Sequence, residues 1–200
     1  MPSTAFSLLE ELQCREGQAA WQRLFFVYEP LLKGWLDRYD VQAADADDLV
    51  QEVLLTVTAE IARFDHNGRE GAFRSWLKNI LVNRLRSYWR EQRRQSRQQS
   101  FDQDFQALAD PTSELSRLWN QQHDEWVMRR LLLESREQVA PKTWAAFHRV
   151  TLESQDHERV AAELGMSLNA VFIAKSRVLS RLRQATKGLT QPSEMFFKNP

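Results

Sequence analysis

Residues 156–183 constrain this chain most, because their pattern predicts two short helices joined by a tight turn. In the first predicted helix, Val160 and Leu164 lie four residues apart and therefore on one face. Gly165 then provides a residue that tolerates the left-handed conformation in which many helices end. Ser167 follows as the predicted N-cap of the second helix. The pattern predicts a helix-turn-helix.

The second predicted helix of this motif is cationic. From Ser167 to Lys187 there are five Lys or Arg residues and no Asp or Glu. A cationic second helix is typical of helix-turn-helix proteins that place this helix in the DNA major groove. A helical hairpin with a solvated basic face has the same pattern and stays open as an alternative. The residues predicted to contact DNA are Ser167, Asn169, Ala170, Ile173, Lys175, Ser176, Arg177 and Arg181.

The charges of the chain are segregated along the sequence. The 27 acidic and 27 basic side chains cancel, but residues 45–60 hold five acids and no base. Residues 84–97 hold six Arg and one acid. Blocks of opposite charge predict different partners for different surfaces of the molecule.

Helix-breaking residues are scarce, with six Gly and six Pro in 200 residues. Apolar residues recur at helical spacing over long segments, and no segment has the alternation typical of a strand. We therefore predict an all-α fold of two small helical domains, residues 5–95 and 113–187. Residues 96–112 are rich in Gln, Ser and Asp, which predicts a flexible linker. Residues 188–200 are predicted to form a tail.

A predicted helix over residues 45–64 carries the acidic block. Asp45, Asp48 and Glu52 share one face of this helix, with Gln51 beside them. Acids near a helix N-terminus also suit the helix dipole, so a simply solvated face is the alternative to a binding surface.

A predicted helix over residues 71–94 mixes arginines with aromatic rings, and Tyr88 and Trp89 lie among its basic residues. Cations that bind phosphates, beside rings that stack on unpaired bases, are typical of proteins that bind opened nucleic acid. Arginine stems packed along a core helix are the alternative. The polar residues predicted to face outward are Arg74, Lys78, Asn83, Arg84, Arg86 and Arg90.

Other function classes have no support in the sequence. Cys14 is the only cysteine, so no internal disulfide is possible and a reducing compartment is expected. No apolar run is long enough to span a membrane, and we predict a cytoplasmic protein without membrane contact. The four His have no metal-ligand spacing and are predicted to be surface or cap residues. We predict no enzyme activity, no cofactor and no metal.

The order of the motifs resembles a known family. The run DLVQE at 48–52, the pair at 64–65, the run GAFRSWL at 71–77 and then Asn83 are similar to conserved region 2 of bacterial RNA polymerase sigma factors. The runs at 164–171 and 176–183 are similar to region 4. The short chain resembles the small two-domain extracytoplasmic-function type.

The resemblance implies a subunit that binds core RNA polymerase and directs promoter recognition, DNA opening and transcription initiation, without catalysis. It implies the β′ clamp coiled coil, the β flap and promoter DNA as partners, and it allows an anti-sigma factor as a further partner. The implied polymerase-binding residues are Asp45, Asp48, Gln51 and Glu52. The implied contacts to the minus-ten element are Arg74, Trp76, Lys78, Asn83, Arg86, Trp89 and Arg90.

By the same resemblance, the helix that begins after Ser167 would recognise the minus-thirty-five element. Phe172, Ile173 and Ala174 stand where relatives commonly have a polar or basic run, so the base contacts here are predicted from geometry alone. The alternative function is a stand-alone helix-turn-helix repressor or activator, which predicts tight DNA binding without polymerase.

Overall fold

The computed structural model describes residues 8–14, 18–65, 71–95 and 102–190. These residues form helices and connecting turns without any strand, which confirms the predicted all-α fold. The helices are α1 (Leu8–Gln13), α2 (Gln18–Leu36), α3 (Ala43–Glu60), α4 (Ala72–Gln95), α5 (Asp102–Ala109), α6 (Glu114–Glu137), α7 (Pro141–Phe147), α8 (His157–Leu164) and α9 (Leu168–Thr186).

Helix boundaries follow local chemistry. Pro30 lies inside α2 rather than ending it, whereas Pro141 occupies the first turn of α7, where its missing N–H costs nothing. Asp45 lies inside the first turn of α3, which begins after Gln42. Asp45 therefore interacts favourably with the positive end of the helix dipole, although Gln42 and not Asp45 is the N-cap residue.

The larger core is built by α1 to α4 and extends into α6. Tyr28, Trp35 and Phe73 are among its largest fully buried side chains. The Trp35 ring meets Trp119 of α6 edge-on, with ring centroids 5.1 Å apart. Because α6 belongs to the predicted second domain, the two predicted domains share this core in the structure.

Polar bonds reinforce the contact between α6 and α2. The Trp126 indole N–H donates to the Val27 carbonyl at 2.7 Å. Arg23 of α2 forms an ion pair with Glu134 of α6 at 2.8 Å. Helix α5 lies in the predicted linker, and its Leu108 is fully buried in the same core.

A smaller core joins the last helices. Ala146, Val160, Val171 and Ala174 are buried together between α7, α8 and the first half of α9. The second half of α9 adds its apolar residues to the larger core instead. Just beyond α9, Lys187 pairs with Glu10 of α1 at 2.7 Å. Helix α9 therefore connects both cores to the start of the described chain.

The tail and linker predictions are only partly covered by the structure. Of the predicted tail, residues 188–190 are described and Leu189 is fully buried, while residues 191–200 lie outside the described residues. Residues 96–101 of the linker also lie outside them. Across the described ranges, no helix is both long and apolar enough to cross a membrane.

Candidate functional site

Helix α3 presents an acidic stripe, which we define as Asp48, Gln51 and Glu52. All three are exposed, and their 3- and 4-residue spacing puts them on one face of the helix. Glu52 lies 3.4 Å from Arg84 of α4, but its side chain is still 53% exposed. The stripe is open to a partner.

Asp45 is less exposed than the acids of the stripe and contacts α4. The Tyr88 hydroxyl of α4 donates to the Asp45 carboxylate at 2.7 Å. Burial, together with this hydrogen bond to Asp45, raises the pKa of Tyr88 to about 12. Asp45 thus joins α3 to α4.

The first two cations of α4 are directed into the protein. Arg74 donates to Asp124 of α6, and Lys78 donates to the Ser116 hydroxyl. Lys78 is only 4% exposed, so the prediction that it faces outward is wrong. Burial and the nearby Arg74 charge both lower the pKa of Lys78. Lys78 is buried because α6, which is distant in the sequence, packs over this end of α4.

His123 completes the buried polar cluster between α2, α4 and α6. Its Nε2 lies 3.3 Å from the Tyr28 hydroxyl, and its Nδ1 lies 3.0 Å from Asp124. Since a carboxylate only accepts, Nδ1 donates to Asp124 and Nε2 accepts from Tyr28. Burial lowers the pKa of His123. The side chain is fully buried, so the prediction of a surface or cap histidine is wrong at this position.

The middle of α4 has a more open face. Asn83 and Arg90 are exposed and Arg86 is half-buried, and these three residues are spaced by three and four positions on one side of the helix. The two predicted tryptophans lie in aromatic contacts. Trp76 stacks on Phe64 at 4.8 Å, and Trp89 packs edge-on against Tyr88 at 5.1 Å.

The predicted helix-turn-helix is present in α8 and α9. Asp156 caps α8 by accepting from the Glu158 and Arg159 backbone N–H groups. Gly165 ends α8 with a left-handed φ of 57°, and Ser167 caps α9 by accepting from the Ala170 N–H at 3.1 Å. The local sequence signals at the turn are confirmed.

The predicted DNA-contacting residues lie along one side of this motif. Asn169, Ile173, Ser176 and Arg177 are exposed, as are Ser167 and Arg181, while Ala170 and Lys175 are half-buried. Arg181 donates to the Gln138 carbonyl at 3.4 Å, so its head lies toward α6. The outward side of α9 is thus mainly uncharged at its centre and cationic at its edges.

Two comparisons with known proteins bear on these surfaces. Residues 24–95, which span most of α2 and all of α3 and α4, match the family described as Sigma-70 region 2. The chain is also 28% identical over 171 residues to RNA polymerase sigma factor CarQ of Myxococcus xanthus, an alignment that covers 85% of this chain and 91% of that protein. Both matches support a bacterial sigma factor. The matches confirm the resemblance predicted from the sequence motifs.

Leu55 of α3 is an exposed apolar residue that the sequence prediction missed. It is 63% exposed and continues the acidic stripe one turn further along α3. A groove of about 450 Å³ beside it is lined by Leu55, Gln51 and Phe25 among others. The signal was helical spacing, because about 100° per residue places Leu55 roughly opposite the buried stripe of Leu49, Val53 and Val57.

Two apolar residues of α9 were also absent from the predicted DNA contacts. Leu168 is 40% exposed and Phe172 is 46% exposed. Helical spacing from the buried Val171 and Ala174 indicates that Phe172 faces outward, so the sequence did contain this signal. In the part of the chain that the structure describes, no group of acidic, His and Cys side chains has the arrangement of a metal site.

Proposed function

We propose that this chain is a sigma factor of the small extracytoplasmic-function type, which binds core RNA polymerase and directs it to promoters for DNA opening and initiation. In this proposal α3 contacts polymerase, α4 contacts the minus-ten element, and α9 contacts the minus-thirty-five element. The residues predicted for each role keep that role as part of the proposal.

The observation that carries the polymerase contact is the open acidic stripe with Leu55 at its end. An exposed apolar side chain next to solvated acids has the composition of a small interface, in which a buried anchor is surrounded by polar contacts. The acids add charge complementarity toward a basic partner, which favours fast and specific association. We assign this surface to the β′ clamp coiled coil and the second domain to the β flap.

The exposed face of α4 supports a contact to the minus-ten element. Arg86 and Arg90 supply cations for phosphates and Asn83 supplies a polar group between them. Trp76 and Trp89 lie on the same helix and would offer ring faces to unpaired bases. Arg74 and Lys78 reach DNA only if α6 separates from α4, because α6 holds both of them in the described structure.

The helix-turn-helix supports the upstream contact. In such motifs the N-terminal residues of the second helix contact base edges while the first helix crosses the backbone. Asn169 is exposed at that end of α9 and Ser176 is exposed about two turns further along, and both can donate or accept hydrogen bonds. Arg177 is exposed beside them as a phosphate contact.

The proposed polymerase contact is tested by reversing one charge. Glu52→Lys should abolish co-elution of the chain with core RNA polymerase, because it places a cation in the acidic stripe, next to Leu55 on the helix surface. The fold should survive, since the Glu52 ion pair is exposed and contributes little to stability. Gel filtration of the mixed proteins gives the readout.

Glu60→Lys is the matched control, because Glu60 is exposed on the same helix but lies off the stripe. It should co-elute as the unmodified chain does. Unchanged co-elution of Glu52→Lys, with circular dichroism showing an intact fold, would contradict the assignment of α3 as the docking surface.

A further inference from the structure

The first turns of α9 expose an unusual amount of apolar surface. Leu168, Phe172 and Ile173 are 40%, 46% and 50% exposed. They are not displaced core residues, because Val171 and Ala174 already fill the inner face of the helix. Apolar side chains clustered on a solvent face mark a binding surface.

Helical geometry places these side chains at the centre of the outward side of α9. At about 100° per residue, Asn169 and Ser176 lie nearly in line, seven residues apart. Phe172 falls to one side of that line and Ile173 falls to the other, so the central strip combines two polar and two apolar groups.

Cations border this strip on both edges. By the same rotation, Lys175 lies about 100° to one side of the strip and Arg177 lies about 100° to the other. Neither forms an ion pair with another residue that the structure describes. A strip without charge between two cationic edges matches a DNA groove, where base edges lie between two phosphate backbones. It fits DNA better than an apolar protein groove.

The base edges of the major groove offer one apolar group, the C5-methyl group of thymine. Phe and Ile side chains make no hydrogen bonds to base edges, so methyl contact is the recognition available to them. Phe172 is also held in place, because its ring stacks on His157 of α8 with centroids 4.7 Å apart and planes 21° from parallel. A ring held in this way has less side-chain freedom to lose on binding.

We propose that Phe172 and Ile173 determine promoter specificity by contacting thymine methyl groups in the upstream element, with Leu168 at the margin of the same patch. The inference rests on the proposed function of α9 and adds to it the chemical group that is recognised. It predicts thymines at the positions that face the centre of the helix.

The test begins with selection of promoters by the holoenzyme, assembled from core RNA polymerase and the full chain. A DNA library randomised in the upstream element is selected for binding, and the winning sequence is rebuilt with deoxyuridine in place of each upstream thymidine. Deoxyuridine keeps the hydrogen-bonding groups and lacks only the methyl group. Loss of a methyl contact should weaken holoenzyme binding by about three- to tenfold per contacted position.

The double variant Phe172→Ala/Ile173→Ala should bind the thymidine and deoxyuridine promoters equally. Leu133→Ala is the matched control, because Leu133 is 47% exposed but lies on α6. It should preserve the discrimination. The deoxyuridine comparison on the unmodified chain needs no variant and stays informative if the double variant fails to fold.

The possible results of this experiment distinguish failure of the thymine-methyl contact from failure of the proposed sigma-factor function. Initiation from both promoters with equal affinity would overturn the methyl contact and leave the sigma-factor function intact. Unchanged discrimination by the double variant would also overturn it and would assign the patch to a protein partner. Failure of the holoenzyme to initiate on any selected template would overturn the proposed function itself.

Discussion

Helices α4 and α9 are both cationic amphipathic helices, and they place their cations differently. The first cations of α4, Arg74 and Lys78, bond to Asp124 and Ser116 inside the protein. The first cations of α9, Lys175 and Arg177, lie at the two edges of its outward face, and Arg177 is exposed. A cation is buried only where a partner satisfies it, since an unpaired buried charge is very costly. A run of basic residues in the sequence therefore does not by itself identify a DNA-binding face.

The largest effect on stability should come from removing Asp124, the acid that pairs with Arg74 of α4. Asp124→Ala leaves Arg74 without its partner while α6 still covers it, and we expect the free energy of unfolding to fall by about 3 kcal/mol. Urea denaturation measures this loss. Glu125→Ala is the matched control, because its side chain is exposed and it should change stability by less than about 0.5 kcal/mol. Equal losses in the two variants would mean that the buried pair does not hold the helices together.

The next effect is a loss of stability as the pH falls. Burial lowers the pKa of His123 from its usual 6.5, so below pH 6.5 the unfolded chain takes up a proton that the folded protein does not. Stability from this group is therefore complete above pH 6.5 and declines as pH falls toward the lowered pKa. The pKa of Asp124 is held below 3.8 by His123, Thr190 and Arg74, despite the opposing effect of burial, so Asp124 titrates at lower pH.

Denaturation midpoints between pH 5 and pH 8 test this dependence. His123→Gln should flatten the profile over that window, whereas His148→Gln should keep it, because His148 is 40% exposed. A profile that is the same with and without His123 would assign the pH dependence to other groups.

The smallest effect on stability is expected at Arg177 of α9, because its side chain is exposed. Arg177→Ala should change the free energy of unfolding by less than about 0.5 kcal/mol. It should nevertheless weaken holoenzyme binding to promoters and reduce the slope of log affinity against log salt by about one unit. Arg129→Ala, on the exposed side of α6, is the control and should keep the slope. An unchanged slope for Arg177→Ala would remove this residue from the DNA contact.

The contrast between the two helices also separates what the sequence could predict from what it could not. The turn between α8 and α9 depends on neighbours in the chain, so Gly165 and Ser167 were sufficient to predict it. The burial of Lys78 depends on Ser116, which lies 38 residues away. No local rule brings α6 across α4, and periodicity could not distinguish an outward cation from one covered by another helix.

The acidic stripe is an intermediate case. Its charges and spacing were visible in the sequence, and the structure leaves all three residues exposed. Leu55 lies roughly opposite the buried stripe of Leu49, Val53 and Val57, so helical spacing could have placed it on the surface. The groove beside it is a tertiary property, because Phe25 of α2 lines it together with Leu55.

Run-off transcription with purified core RNA polymerase, with and without this chain, tests the central claim most directly. The template is fragmented genomic DNA of the organism that encodes the chain. If the chain is an active sigma factor, discrete new transcript starts should appear only when it is added, and aligning them should reveal an upstream and a downstream element. No new starts, together with tight binding of the chain alone to DNA, would contradict the account and identify a stand-alone helix-turn-helix regulator.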